Sequence, residues 1–230
     1  NFFFKGLNGR RIHLMAPPKA LTVNDKGELK LKSFQGFDRL ARARRTISEL
    51  TPVKPVFGND DAKGFMQDEA LRLCCGSGCE VFLLKGDYQN FMLTGTLEQE
   101  QRGKCGLVLR VNDDGDGYYL SLELYKGIAQ IRAWGRNPEG TTRNAFRYNQ
   151  LQAAHYVADS GPAAFRLIAH EQYLEFSLND YILLSLADDD YEAGGVGFYV
   201  ESAVMRVADL ALRILGQPET ESYPESMQNY

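Results

Sequence analysis

A chain of 230 residues is long enough for one sizeable core, or for one domain preceded by an extended approach segment, and the second arrangement is expected here. Hydrophobic residues at 44% and charged residues at 24% speak against wholesale disorder and against a membrane protein, and a formal net charge of -4 leaves no basic footprint for nucleic acid. No apolar run approaches the roughly 20 residues that span a bilayer. The opening Asn1-Phe2-Phe3-Phe4-Lys5-Gly6 lacks a basic segment followed by an apolar core, so a soluble chain is expected, with its compartment (secreted, periplasmic or cytoplasmic) left open.

Residues 1 to about 35 read as short extended pieces. Glu28-Leu29-Lys30-Leu31-Lys32-Ser33-Phe34 alternates apolar and polar with the period of a half-buried strand, and Asn24-Asp25-Lys26-Gly27 before it is a turn. From Gly36 to Leu50 the apolar Phe37, Leu40, Ile47 and Leu50 fall on a loose helical stripe, with Arg39, Arg42, Arg44 and Arg45 as its solvated face. Pro52, Pro55 and the polar loop from Gly58 to Gly64 then mark a boundary, placed near residue 68. This divides the chain into a linker or docking segment (1–67), a β-sandwich (68–216) and a loose acidic tail (217–230).

Beyond the boundary, short alternating stretches separated by turn residues carry the signature of a sandwich or barrel. Strands are expected near 70–75, 80–85, 90–98, 104–111, 118–125, 128–134, 164–170, 173–178, 181–187, 195–201 and 203–214, with 135–162 irregular. The fold class is all-β: an antiparallel concanavalin-like sandwich of jelly-roll type with an extended N-terminal segment.

Cys74-Cys75-Gly76-Ser77-Gly78-Cys79 invites a zinc reading, but a zinc site wants a second paired cluster, Cys105 stands apart, and His13, His155 and His170 are scattered. Buried thiols on a strand-turn-strand fit better, and a disulfide through Cys75 or Cys79 stays open. Asn112-Asp113-Asp114-Gly115-Asp116-Gly117 followed by Glu123 nearly matches an EF-hand loop. In such a loop the last Glu swings back because a helix starts there, whereas residues 118–125 read as a strand that carries Glu123 away at about 3.3 Å per residue. A hairpin turn is therefore expected, with Asp114 and Asp116 as weak calcium ligands at most and no cofactor implied.

The clearest local geometry is the hairpin joined at Lys126-Gly127. A tight turn there pairs Tyr125 with Ile128, Glu123 with Gln130, Ser121 with Arg132 and Tyr119 with Trp134. Leu120, Leu122, Leu124 and Ile131 then face the core, while Tyr119, Ser121, Glu123, Tyr125, Gln130, Arg132 and Trp134 share an open face. By the same alternation Val196, Phe198 and Val200 point inward and Tyr199 and Glu201 outward, and Glu175 is an outward carboxylate. Aromatic rings that cover the C–H face of a sugar, beside charged groups that bond its hydroxyls, make Tyr119, Glu123, Arg132, Trp134, Tyr199 and Glu201 candidate carbohydrate-binding residues. Glycoside hydrolysis needs two carboxyl groups converging across a bond; no such pair is legible, and no catalytic residue is assigned.

Lys104-Cys105-Gly106-Leu107-Val108-Leu109-Arg110, Asp114-Gly115-Asp116-Gly117-Tyr118-Tyr119, Tyr173-Leu174-Glu175-Phe176-Ser177-Leu178-Asn179 and Gly195-Val196-Gly197-Phe198-Tyr199-Val200-Glu201-Ser202 occur in the order in which similar motifs occur elsewhere. Together they resemble the C-terminal β-sandwich of glycoside hydrolase family 32, the fructan hydrolases, and the related levan-binding carbohydrate modules. Pro17-Pro18-Lys19-Ala20-Leu21 with Asp25-Lys26-Gly27-Glu28-Leu29 looks like the passage leading out of that family's catalytic propeller. The propeller's motifs of the type Asn-Asp-Pro-Asn-Gly, Arg-Asp-Pro and Glu-Cys do not occur here. The resemblance implies a non-catalytic sandwich that supports a fructan-cleaving propeller and contributes to glycan binding. A free-standing lectin-like module and a sandwich-fold glycosidase acting on a disaccharide are the alternatives.

Overall fold

The computed structural model describes residues 2–5, 11–101, 103–136, 146–157 and 161–217. Two short ribbons come first, β1 (Phe2–Lys5) with β2 (Arg11–Leu14) and β3 (Ala20–Val23) with β4 (Leu29–Lys32). A single helical turn α1 (Gly36–Arg39), strand β5 (Ala41–Thr46), a second turn α2 (Ile47–Leu50), β6 (Lys54–Pro55) and β7 (Ala62–Gln67) follow. The remaining strands are β8 (Ala70–Tyr88), β9 (Phe91–Gln101), β10 (Lys104–Val111), β11 (Gly117–Glu123), β12 (Ile128–Arg136), β13 (Phe146–His155), β14 (Ala163–His170), β15 (Tyr173–Leu178), β16 (Tyr181–Ala187) and β17 (Gly194–Leu215).

The molecule is an antiparallel β-sandwich whose two layers share β8 and β17. The first half of β17 lies between β10 and β8, and its second half between β9 and the start of β8. One layer therefore runs β13-β12-β11-β10-β17-β8-β6, and the other runs β16-β15-β14-β9-β17-β8-β7, with β5 paired to the end of β17. The crossing point is marked in both long strands. Pairing of β17 with β8 shifts between Glu201 and Ala203, where Ser202 has a φ of 47°, and β8 bends at Gly78, with a φ of 74°. Such bulges let one strand turn a corner without losing its inward face. Strands expected separately at 70–75 and 80–85, and at 195–201 and 203–214, are thus continuous.

The core fills the space between the layers. Leu107, Leu120, Leu122 and Ile131 of one layer meet Leu93, Phe165, Leu167 and Phe176 of the other, and Val196, Phe198 and Val200 face inward as the alternation requires. Leu122 is 0% and Ile131 1% exposed. The β11–β12 register differs from the expected one: Tyr119 pairs with Arg132, Ser121 with Gln130 and Gly117 with Trp134. Leu124 is buried and Tyr125 lies in the connection, so the turn takes the residues from Leu124 to Gly127, with Lys126 and Gly127 N–H both donating to Glu123 O. A slip of two residues keeps every side chain on its face, which is why the face assignment holds although the pairs change. Tyr125 is the exception. It leaves the open face, and its hydroxyl donates to Gln99 O at 3.0 Å.

Three further expectations are corrected. The helical stripe from Gly36 to Leu50 is broken by β5, because the edge of β17 from Ala211 to Leu215 offers backbone partners that outweigh a loose periodicity. Arg42, Arg44 and Arg45 accordingly sit on a strand. The irregular stretch 135–162 contains the edge strand β13, disguised by a register shift between Ile131 and Arg132 on its partner; its residues 137–145 lie outside the described residues. Glu175 does face outward but is only 2% exposed, because the chain before β5 covers that side: Phe37 stacks on Tyr173 at 5.8 Å, and Lys19 Nζ donates to Ser185 Oγ at 2.7 Å. The strands β5 to β7 draw on residues 41–67, and of the expected tail only Gln217 lies among the described residues.

Candidate functional site

The outer face of the β13-to-β8 layer carries a trough of about 420 Å³, and Tyr119, Glu123, Arg132, Trp134, Tyr199 and Glu201 all line it. Six adjacent strands build it, β13 contributing Tyr148. Tyr119, Ser121 and Glu123 alternate along β11, Gln130, Arg132 and Trp134 along β12, Tyr199 and Glu201 along β17, and Lys104 and Cys79 come from β10 and β8. Its depth comes from Gly106. A Cβ there would lie 1.9 Å from Leu120 O and 2.7 Å from a Tyr199 ring carbon, so only glycine lets the Tyr199 ring lie down on β10.

Aromatic rings form a continuous ribbon across the floor. Ring centroids are 5.8 Å apart for Tyr199 and Tyr119, 5.2 Å for Tyr119 and Trp134, and 5.2 Å for Trp134 and Tyr148. Tyr119 and Tyr199 are nearly buried, held beneath their neighbours, and burial pushes both phenols above their ordinary range. They present ring surface as donors that stay protonated. The Tyr119 hydroxyl donates to Gly115 O at 2.7 Å, and the Trp134 carbonyl accepts from the Tyr191 hydroxyl at 2.7 Å, which fixes the ribbon at that end.

Charge surrounds the ribbon. The Arg132 guanidinium lies 4.4 Å from the Tyr148 ring centre and donates to Gln130 Oε1 at 2.5 Å. Glu201 is paired with Lys104 at 3.3 Å and Glu123 with Lys126 at 2.6 Å. Both carboxylates are thereby oriented as acceptors at the rim, where planar amide, guanidinium and carboxylate groups can bond hydroxyls in fixed directions.

Sequence reasoning missed Tyr148, Phe57 and Glu80. Tyr148 sits on the unrecognised β13, where the register shift hides the alternation. Phe57 comes from the loop after β6, which wraps the β8 edge and brings its ring to the trough. Glu80 is 0% exposed and accepts N–H groups from Val56, Phe57, Asn59 and Val81 at 2.8–3.0 Å. A buried carboxylate solvated entirely by backbone donors has no local sequence signal.

The Asp-Gly loop is a hairpin turn capped by Asn112, whose Oδ1 accepts from Asp114 N and Asp116 N at 3.0 and 2.9 Å. Among the described residues no three His, Cys, Asp or Glu side chains gather as a metal site. All four cysteines are free thiols: Cys105 and Cys75 are buried, Cys74 and Cys79 partly so.

No family model matches this sequence, and no curated protein does. Solved structures do. A carbohydrate binding module, CBM66, from Bacillus subtilis aligns with a TM-score of 0.59 at 14% identity over 71% of this chain and 96% of that one. A Bacillus subtilis protein of unknown function with a galectin-like fold gives 0.55 at 17% identity over 75% and 95%. The exoplasmic/lumenal domain of VIP36, bound to calcium and mannose, gives 0.53 at 9% identity over 76% and 94%. At these identities the likeness is one of fold: the chain shares the galectin-like antiparallel β-sandwich of these proteins.

Proposed function

We propose that this chain is a carbohydrate-binding β-sandwich whose ligand lies in the trough over Tyr119, Trp134 and Tyr148, bonded at its hydroxyls by Arg132, Glu123 and Glu201. The observation that carries the reading is the meeting of an aromatic ribbon with oriented polar groups in one concavity of sugar size. The fold likeness to a carbohydrate binding module and to a mannose-bound lumenal domain supports it. Apolar C–H faces of a sugar ring gain dispersion and burial against the rings, and each hydroxyl exchanges water for a charged or amide partner.

The finer reading follows the sequence resemblance to glycoside hydrolase family 32. The glycan is a fructan, the chain is the non-catalytic partner of a fructan-cleaving propeller, and it stabilises that domain while holding substrate near it. The experiment is titration of the chain with levan, inulin, mannan and galacto-oligosaccharides by calorimetry, alongside Trp134→Ala. Binding of at least one glycan, weakened about tenfold or more by the substitution, is expected. Levan or inulin ahead of the others supports the finer reading. Absence of binding across the panel, or binding that Trp134→Ala leaves intact, removes the trough as the site.

A further inference from the structure

We propose that Glu80 is a positioning residue of the trough, setting its affinity through Phe57 without touching the ligand; this rests on the carbohydrate reading above. Glu80 lies on β8 opposite Val200, at the strand's bend, and its two oxygens are spent on the loop that follows β6. Oε1 accepts from Val56 N at 3.0 Å, from Phe57 N at 2.8 Å and from its own neighbour Val81 N at 2.8 Å; Oε2 accepts from Asn59 N at 2.8 Å. Three of these donors belong to the same short loop, so one side chain fixes the backbone on both sides of Phe57.

The Phe57 ring lines the trough and reaches the Asn112-capped turn. A Cβ on Gly115 would lie 2.6 Å from its ring edge, and the Tyr119 hydroxyl bonds the carbonyl of that same Gly115. Phe57 therefore walls the trough beside the Gly115 turn while remaining 45% exposed, so its ring is open to a ligand there. Asn59 gives the loop a second pin, its amide donating to Ser77 O at 2.8 Å. A ring on a loop contributes more to affinity when its position is fixed before the ligand arrives, since ordering it on binding costs free energy. A carboxylate taking several backbone N–H groups is a strong clamp for a short loop, because charge-assisted hydrogen bonds exceed neutral ones.

The test uses the whole chain and levan-derived oligosaccharide, followed through the fluorescence of Trp134, the sole tryptophan, which sits in the trough. Phe57→Ala and Glu80→Gln are each expected to weaken binding about three- to tenfold, with the double variant no weaker than the poorer single one, since both act through one ring. Trp134→Ala, read by calorimetry, adds its loss to either. Glu80→Gln also speeds amide exchange at Phe57 and Asn59. Should Glu80→Gln fail to fold, Asn59→Ala loosens the same loop from its other pin and is expected to behave alike. Unchanged binding in Phe57→Ala, or losses that add between Phe57 and Glu80, overturns the inference while leaving the carbohydrate reading standing. A wild-type chain that binds neither this oligosaccharide nor any other glycan of the panel removes that reading, and the role of Glu80 with it.

Discussion

Tyr119 and Trp134 pack with centroids 5.2 Å apart and ring planes inclined at 32° although they are not cross-strand partners: Trp134 pairs with Gly117, and Tyr119 pairs with Arg132. The contact is diagonal, across the pair that Gly117 makes with Trp134, and Gly117 itself is required by β10, since a Cβ there would lie 2.8 Å from Val111. The arrangement tilts the indole over the phenol and leaves Arg132 directly beside Tyr119, so that ring surface and guanidinium share one end of the trough. Diagonal neighbours on a sheet are within reach of aromatic side chains, and the right-handed twist brings one diagonal closer than the other.

Arg110 is expected to matter for stability rather than for binding. It is 1% exposed, and its guanidinium donates to Tyr191 O at 2.9 Å, Gln89 O at 3.1 Å and Glu171 O, tying three connections to the end of β10. Arg110→Met takes the donor from three part-buried carbonyls and is expected to cost about 3 kcal/mol. Arg110→Lys does not restore it, because an ammonium cannot span three diverging acceptors. Urea unfolding checks this: a midpoint lowered at constant slope agrees, and an unchanged midpoint refutes it.

Asp188 makes stability depend on pH. Burial, with Asp190 close by, holds its carboxyl up at about 6 against an ordinary 3.8, although the Tyr118 hydroxyl donating at 2.6 Å favours the ionised form. Between those values the folded state keeps a proton that the unfolded chain releases, so the Asp188 contribution to stability falls as pH rises from about 4 to about 6. Asp188→Asn removes this linkage while keeping an acceptor for Tyr118. The variant is expected to gain roughly 2 kcal/mol on the wild type across that window. Thermal melts at pH 4, 5, 6 and 7 decide it, and a constant offset between the two proteins rules the linkage out.

Thiol chemistry should sort the cysteines by burial. Burial pushes Cys105 and Cys79 up to about 12, so little thiolate forms near neutral pH, and Cys105 is closed to solvent as well. An aromatic disulfide reagent at pH 8 is expected to label the half-exposed Cys74 first and Cys105 only as fast as the sandwich unfolds. Equal rates at all four thiols contradict the structure.

The sequence alone settled which residues share a face. Leu120, Leu122 and Ile131 inside, with Glu123, Arg132 and Trp134 outside, follow from a period of two that any register preserving parity must respect. Family-like motifs and turn residues pointed to the sandwich for the same local reason. Tertiary structure decided everything that depends on which edge is free and which strand lies alongside: the pairing of β5 with β17, the strand status of the residues around Tyr148, the covering of Glu175, and the clamp of Glu80 on the loop carrying Phe57. Alternation is written into neighbouring residues. Edge pairing, burial by a distant segment and a carboxylate satisfied by remote N–H groups are set by chain closure over tens of residues, and no short window of sequence contains them.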